Sequence, residues 1–417
     1  MAAVQAADRR KISQGELDMI VAAHERYLSG KPGGKRASLR CIDLSGLDLT
    51  SRNLSDADLS GSVFQGCKMM GMSLERADLF ACDLRKADLR GALMMRADLR
   101  GASLRGANVS QADLTQADFR EGQIAIAQKG RGLNMVSHER PPGQLDQAIF
   151  AGAKLDGSQF NDVSACAADF TDCSMKGAIL SGANLKDANL SGAMLEGAEF
   201  IGAILENVSF KGAVMTGVDM KRARSTLGAD LSGCLRAPTE ESIRRTEELF
   251  LRAKANHEWS TSGGKLGTPA KLDGEDLRPL GDRLRGFRLT ALSAKGACFV
   301  GLDLTGAHLQ GGNLEGADLR GVSLKGADLR GARLAEANLT KADLTGAILS
   351  PLPLGATRET AVNLSGSQLR YVLALGADFS GACLDKADMR GGDFTDAIFR
   401  GASLTGVNRL HATGLPR

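Results

Sequence analysis

The chain has 417 residues, a formal net charge of +3, 4% aromatic residues and 51 glycines. So small a charge excludes a strong general attraction to nucleic acid or to a membrane surface. A core with one Trp, two Tyr and many Ala, Leu and Gly is thin and repetitive rather than that of ordinary globular domains, although 43% hydrophobic content places the chain outside the disordered class.

Residues 1–35 read as an N-terminal tail and a capping helix. The opening residues lack the apolar core of a secretory signal. Ser13 and Glu16 have capping-box spacing, and Leu17, Ile20, Val21, His24 and Leu28 form one stripe. From Leu39 an apolar residue then returns every fifth position, through Leu44, Leu49, Leu54 and Leu59 to Leu114 and Phe119. A small residue, usually Ala, precedes it by two, as in ADLRG at 97–101. No helix uses this period, because five residues overshoot a full turn by about 140°. No straight strand uses it either, because an odd spacing flips successive leucines between faces. A corner in every repeat reconciles the pattern. The small residue and the Leu point inward, the residue between them points out, and the last two turn the chain, with Gly frequent where a turn needs permissive dihedrals.

The strings ADLRG, GANLK, GADLR and KADLT resemble the pentapeptide-repeat family, A(D/N)LXX. The resemblance implies an all-β solenoid, a right-handed quadrilateral β-helix with four repeats per coil. It also raises an alternative function, since some members bind DNA gyrase or topoisomerase by imitating duplex DNA.

The first β-helical module is expected over 36–220, with an insertion at 125–145 that breaks the rhythm. Residues 221–271 are expected to be a linker and a second capping helix, 272–408 a second module with an insertion at 351–358, and 409–417 a tail. Two segments support the division. His24, Glu25, Gly34, Ala37 and Leu39 align at one fixed offset with His257, Glu258, Gly267, Ala270 and Leu272, as in an internal duplication. Thr239 is the expected N-cap of the second helix, with Ile243, Phe250, Ala253 and His257 as its stripe. Each helix closes an apolar coil end. The fold class expected is thus two β-helical stacks, each with an N-terminal capping α-helix.

The His-Glu pairs lack the second His that a metalloprotease helix needs, so His24, Tyr27, His257 and Trp259 are read as structural caps bonded to coil backbone. The loops GKPGGKR and GGKLGT lack P-loop spacing and read as turns. Eight cysteines without CxxC or disulfide-like spacing suit a reducing compartment, and the protein is expected in the cytoplasm without a membrane span. No nucleophile–base set can be assembled, so no catalysis, cofactor or metal is expected.

Two features carry binding potential. Residues 125–145 hold Lys129, Arg131, His138, Glu139 and Arg140 as a candidate partner-binding loop, because loops on rigid scaffolds commonly carry function. Between Arg140 and Arg222 there is no Arg, and Asp156, Asp169, Asp172, Asp187, Glu196, Glu199 and Glu206 form a candidate acidic face. The expected function is a non-enzymatic scaffold for an unidentified protein partner, without direct nucleic-acid binding, with exposed coil ends as the route to any oligomer.

Overall fold

The computed structural model describes residues 9–122, 124–128, 132–136, 143–355 and 357–416. The chain divides into two compact units, Met1–Ala237 and Pro238–Arg417.

In both units each repeat forms one side of a four-sided coil. The residue before the inward Leu makes a parallel bridge with the residue twenty positions on, as in Asp58↔Asp78 and Asp78↔Asp98. Leu59 N–H donates to the Asp78 carbonyl at 2.9 Å, and Asp78 N–H donates to the Ala57 carbonyl at 2.9 Å. Between sides the chain turns: Ala57 N–H closes on the Leu54 carbonyl at 3.1 Å, and Asp56, the third turn residue, has a φ of 61°. That is the signature of a type II turn, which explains why Gly recurs there. The period of five is therefore two inward side chains plus a corner. The Ala and Leu positions are buried almost throughout. Phenylalanines stack inside the column, Phe119 on Phe160 at 4.6 Å and Phe150 on Phe170 at 4.9 Å between ring centroids.

The Asp of the motif has its own task. Asp98 Oδ1 accepts the Arg100 N–H at 3.1 Å, and the Arg100 guanidinium folds back on the same carboxylate at 2.9 and 2.6 Å. Eight such Asp-x-Arg clamps occur among the described residues. They explain why like charges stacked at coil spacing are tolerated.

In the first unit, helix α1 spans Gln14–Leu28 with Ser13 as N-cap and buries Leu17, Val21 and His24. Glu16 does not complete the capping box, because its carboxylate pairs with Arg10. Lys11 and Ile12, just before the helix, belong to the coil stack. Lys11 bridges Asp43, and Ile12 is buried in the core, so a short extended segment lies along the first coil. The expected module end at 220 is too early. Ser225, Asp230 and Leu235 still bridge Ile204, Ser209 and Val214. One additional residue in this coil shifts the register, and the 3₁₀ turn Met220–Arg222 lies where it is absorbed.

In the second unit, the helical segment breaks at Arg245 into α2 (Glu240–Arg244) and α3 (Thr246–Thr261). Thr239 caps α2, accepting Ser242 N–H at 3.1 Å. Arg245 is held by Glu275 through two hydrogen bonds of 2.9 and 2.7 Å. The break rephases the stripe: Leu249, Ala253 and Asn256 are buried, while Ile243 is 56% exposed. Coils run from Leu272, the first widened by the 3₁₀ turn Arg278–Leu280. They continue past the expected end at 408, since Thr413 still bridges Asp393.

Candidate binding surface

The first insertion is a hairpin in its described part. Strand β1 (Ile124–Gln128) pairs antiparallel with β2 (Gly132–Val136), Ile124 opposite Val136 and Gln128 opposite Gly132. Lys129, Arg131, His138, Glu139 and Arg140 lie outside the described residues. The ladder closes beneath the insertion, because Ser103 bridges Gln144 and Asn108 bridges Ile149.

Two glycines seat the hairpin. A Cβ on Gly122 would lie 2.8 Å from Phe80 Cζ, and one on Gly143 would lie 2.5 Å from the Phe119 carbonyl oxygen. Phe80 is an outward aromatic where the coils before and after carry Ser60 and Arg100, with the Arg100 guanidinium 5.7 Å from its ring centroid. Sequence reasoning overlooked Phe80. Its signal is an aromatic at a position that carries Ser60 and Arg100 on the coils before and after. Beside the hairpin base lies a hollow of about 250 Å³ lined by Arg85, Ser103, Arg105 and Gln144. It falls below the usual size of small-molecule sites, roughly 300–1,000 Å³.

A second, shorter hairpin interrupts the second unit. Strand β3 (Leu352–Pro353) pairs with β4 (Glu359–Thr360), close to the expected insertion at 351–358. It packs on a glycine corner: a Cβ on Gly331 would lie 2.7 Å from Leu352 Cβ.

The candidate acidic face does not exist as one face. Ladder register places Asp156 and Glu196 on one side of the coil, Asp169 and Asp172 on the next, Asp187 and Glu206 on another, and Glu199 on the fourth. A period of five cannot align acids whose spacings are not multiples of twenty. Several are also engaged. Glu196 pairs with Lys176 at 3.3 Å, Glu206 with Lys186 at 3.7 Å, and Asp156 accepts the Ser174 hydroxyl at 2.6 Å. Asp172 is buried against the Gly192 corner of the next coil.

At the capping helices, His24 is fully buried. Its Nδ1 accepts the Ala37 N–H at 3.0 Å, and its Nε2 donates to the Ser55 carbonyl at 2.9 Å. Tyr27 stacks on His24 at 5.9 Å. In the second unit the buried position belongs to Asn256, whose amide nitrogen donates to the Thr290 carbonyl at 3.0 Å. The fixed offset aligning His24 with His257 therefore fails inside the helix by one residue. Lys35 N–H donates to the Ala23 carbonyl and Thr268 N–H to the Ala255 carbonyl, so the second helix-to-coil loop is one residue longer. His257, half-buried, accepts the Arg288 N–H at 3.1 Å through Nδ1, and the Trp259 indole nitrogen lies 3.5 Å from where a Gly264 Cβ would sit.

Among the described residues no cluster of His, Cys, Asp and Glu could hold a metal ion, and no helix is long and apolar enough to cross a membrane. A family model described as pentapeptide repeats matches residues 42–79, 82–120, 297–334, 313–350, 360–396 and 375–408, and a related pentapeptide-repeat-region model matches 144–220. No curated protein sequence matches the chain. Among solved structures it is similar to HetL, a pentapeptide repeat protein involved in heterocyst differentiation regulation from the cyanobacterium Nostoc sp. strain PCC 7120. The identity is 19%, over 92% of this chain and 91% of that one, with a TM-score of 0.19. It is also similar to trypsin-treated QnrB1, a plasmid-mediated fluoroquinolone resistance protein, at 20% identity over 52% of this chain and 91% of that one, TM-score 0.22. A third similar structure is a pentapeptide repeat protein from the Arabidopsis thaliana thylakoid lumen, 32% identical over 28% of this chain and 72% of that one, TM-score 0.22. With the repeat models spanning well over half of the sequence, the chain belongs to the pentapeptide-repeat family, and its coils form the family's right-handed quadrilateral β-helix.

Proposed function

We propose that the protein is a non-enzymatic interaction scaffold of the cytoplasm that engages a protein partner through the insertion that contains the paired strands β1 and β2. One observation carries this reading: a hairpin interrupts the ladder between Asp118 and Gln144, the ladder resumes beneath it, and tight glycine contacts hold its base. A rigid support lowers the ordering cost of a projecting element on binding. The Cys67 and Cys82 thiols donate to the Leu44 and Leu59 carbonyls, as reduced cysteines do, which supports a reducing compartment. The eight Asp-x-Arg clamps engage guanidinium donors that nucleic-acid phosphates would require, which supports a protein rather than a nucleic acid as partner.

The test is a deletion of 122–142, which leaves Gly143 at the small-residue position after Glu121 and restores the twenty-residue coil. The shortened chain should keep its thermal transition and lose the proteins captured by the full chain from a lysate. Retention of the same captured set would overturn the assignment of the hairpin.

The alternative role, DNA mimicry toward gyrase or topoisomerase, calls for a continuous acidic stripe, and the scattering of the acids over four sides weighs against it. Purified protein is expected to leave gyrase supercoiling unchanged at saturating dose.

A further inference from the structure

The outward position before each inward Leu is normally polar in the second unit, but it becomes apolar in one small region. Ile348 (39% exposed), Leu373 (46%) and Ile398 (52%) occupy it, and Leu375 (38%) follows on the outside of the same coil as Leu373. Register brings the four together. Asp378 bridges Ile348 on the coil before and Ile398 on the coil after, so these three form one column. Leu373 sits five residues before Asp378, on the adjoining side, with Leu375 and Gly376 at the corner between them. Coils are spaced about 4.8 Å apart, so the patch spans three coils and two sides. The exposed apolar residues at the same position in the first unit have polar neighbours on both adjacent coils: Leu93 bridges Ser73 and Asp113, and Ile149 bridges Asn108 and Asp169.

The patch has a charged rim. From Asp343 onward these two sides carry Asp343, Asp378, Asp393 and Asp396 against one cation among the described residues, Arg400. Asp343 is shared with Lys325 on the preceding coil at 3.1 Å. Burial pushes the carboxyls of Asp378 and Asp393 up, but hydrogen bonds from Ser380 and Thr395 outweigh it and hold both below the usual carboxylate range. They are anionic at neutral pH.

We infer that this patch of the second unit is a docking surface for a partner segment whose apolar side chains are flanked by Lys or Arg. The inference rests on the scaffold reading but not on the hairpin. An apolar centre within a mainly acidic rim selects a partner by burial and by charge together. A contiguous apolar patch on rigid coils offers little conformational freedom to lose on binding.

The probe is a fluorescein-labelled peptide of alternating Leu and Lys, with a Leu–Glu peptide and a Ser–Lys peptide as controls, read by anisotropy with the full chain. The Leu–Lys peptide should bind, and both controls should bind at least about tenfold more weakly. Leu373→Ser combined with Ile398→Ser should weaken binding about tenfold without moving the thermal transition, because both side chains are exposed. Asp378→Asn combined with Asp393→Asn keeps the turn acceptor, as Asn338 does by accepting Thr340 N–H at 3.1 Å. That variant should also weaken binding about tenfold and flatten its salt dependence. Deletion of 122–142 should leave peptide binding unchanged, so failure of the hairpin reading and failure of this one are distinguishable. Equal binding of the three peptides, equal binding by the patch variants, or loss of binding only in the hairpin deletion would overturn the proposal. So would a wild-type dimer that Leu373→Ser and Ile398→Ser convert to monomer, since the occupant would then be a second copy.

Discussion

Asn256 fills in the second unit the slot that His24 fills in the first. Each buried side chain gives a nitrogen-bound hydrogen to a coil carbonyl, Ser55 at 2.9 Å and Thr290 at 3.0 Å. His24 also accepts the Ala37 N–H, whereas the Asn256 Oδ1 has no partner among the described residues. Leu17, Val21 and His24 thus correspond to Leu249, Ala253 and Asn256.

The two residues should therefore differ in worth. His24→Leu strands a buried N–H and a buried carbonyl, at a cost of about 2–4 kcal/mol. Asn256→Leu strands only the carbonyl, and it removes an unsatisfied oxygen, so its cost should be about 1 kcal/mol. Urea unfolding of both variants measures the difference. An equal or larger loss for Asn256→Leu would show that the two slots are not equivalent.

The Gly192 corner gives a coupled prediction. Its φ of 70° is unfavourable for any L-residue, and its Cβ site is filled by Asp172 Oδ1. Gly197 has a similar φ of 68° with nothing near its Cβ site. Gly197→Ala should cost about 1 kcal/mol, the left-handed penalty alone. Gly192→Ala should cost about 1 kcal/mol more, and Asp172→Ala should relieve that increment. A double-mutant cycle by thermal unfolding checks the coupling.

Thiol chemistry should report the inside of the coils. Cys67 is buried, donates to the Leu44 carbonyl at 2.9 Å, and burial pushes its thiol up to about 11. Cys82 is pushed up further by the same cause. Cys41 is exposed. At neutral pH maleimide should label Cys41 within minutes, while Cys67 and Cys82 should react only after unfolding. Peptide mapping by mass spectrometry distinguishes the sites.

Acid should loosen the first cap. The Arg52 side chain bonds Glu25 at 3.0 and 3.1 Å and holds its carboxyl below the usual range. A folded-state value below the unfolded one means stability that is present above the unfolded value of about 4.3 and lost as pH falls through the folded value. With solvent screening of this half-exposed pair, the contribution is about 0.5–1 kcal/mol. Glu25→Gln should therefore destabilise at pH 7 and make little difference at pH 3. Parallel melts at the two values test it.

Much of this architecture was legible in the sequence, because a period of five admits only a coil with a corner in each repeat, and Ser13 and Thr239 announce their helices by hydrogen-bonding chemistry that is local. What the sequence alone could not decide was which distant residues share a side. The acids from Asp156 to Glu206 are a tract along the chain but scatter over four sides of the coil, whereas Ile348, Leu373 and Ile398 are dispersed in sequence and form one patch. The reason is register. A twenty-residue coil makes neighbours of residues that lie a full coil apart, and each insertion or added residue, as at 123–142, Met220–Arg222 and Arg278–Leu280, resets that count. The cap shows the same limit at finer scale: one additional loop residue moved the buried position from His257 to Asn256, and only the packing of α3 on its coil revealed it.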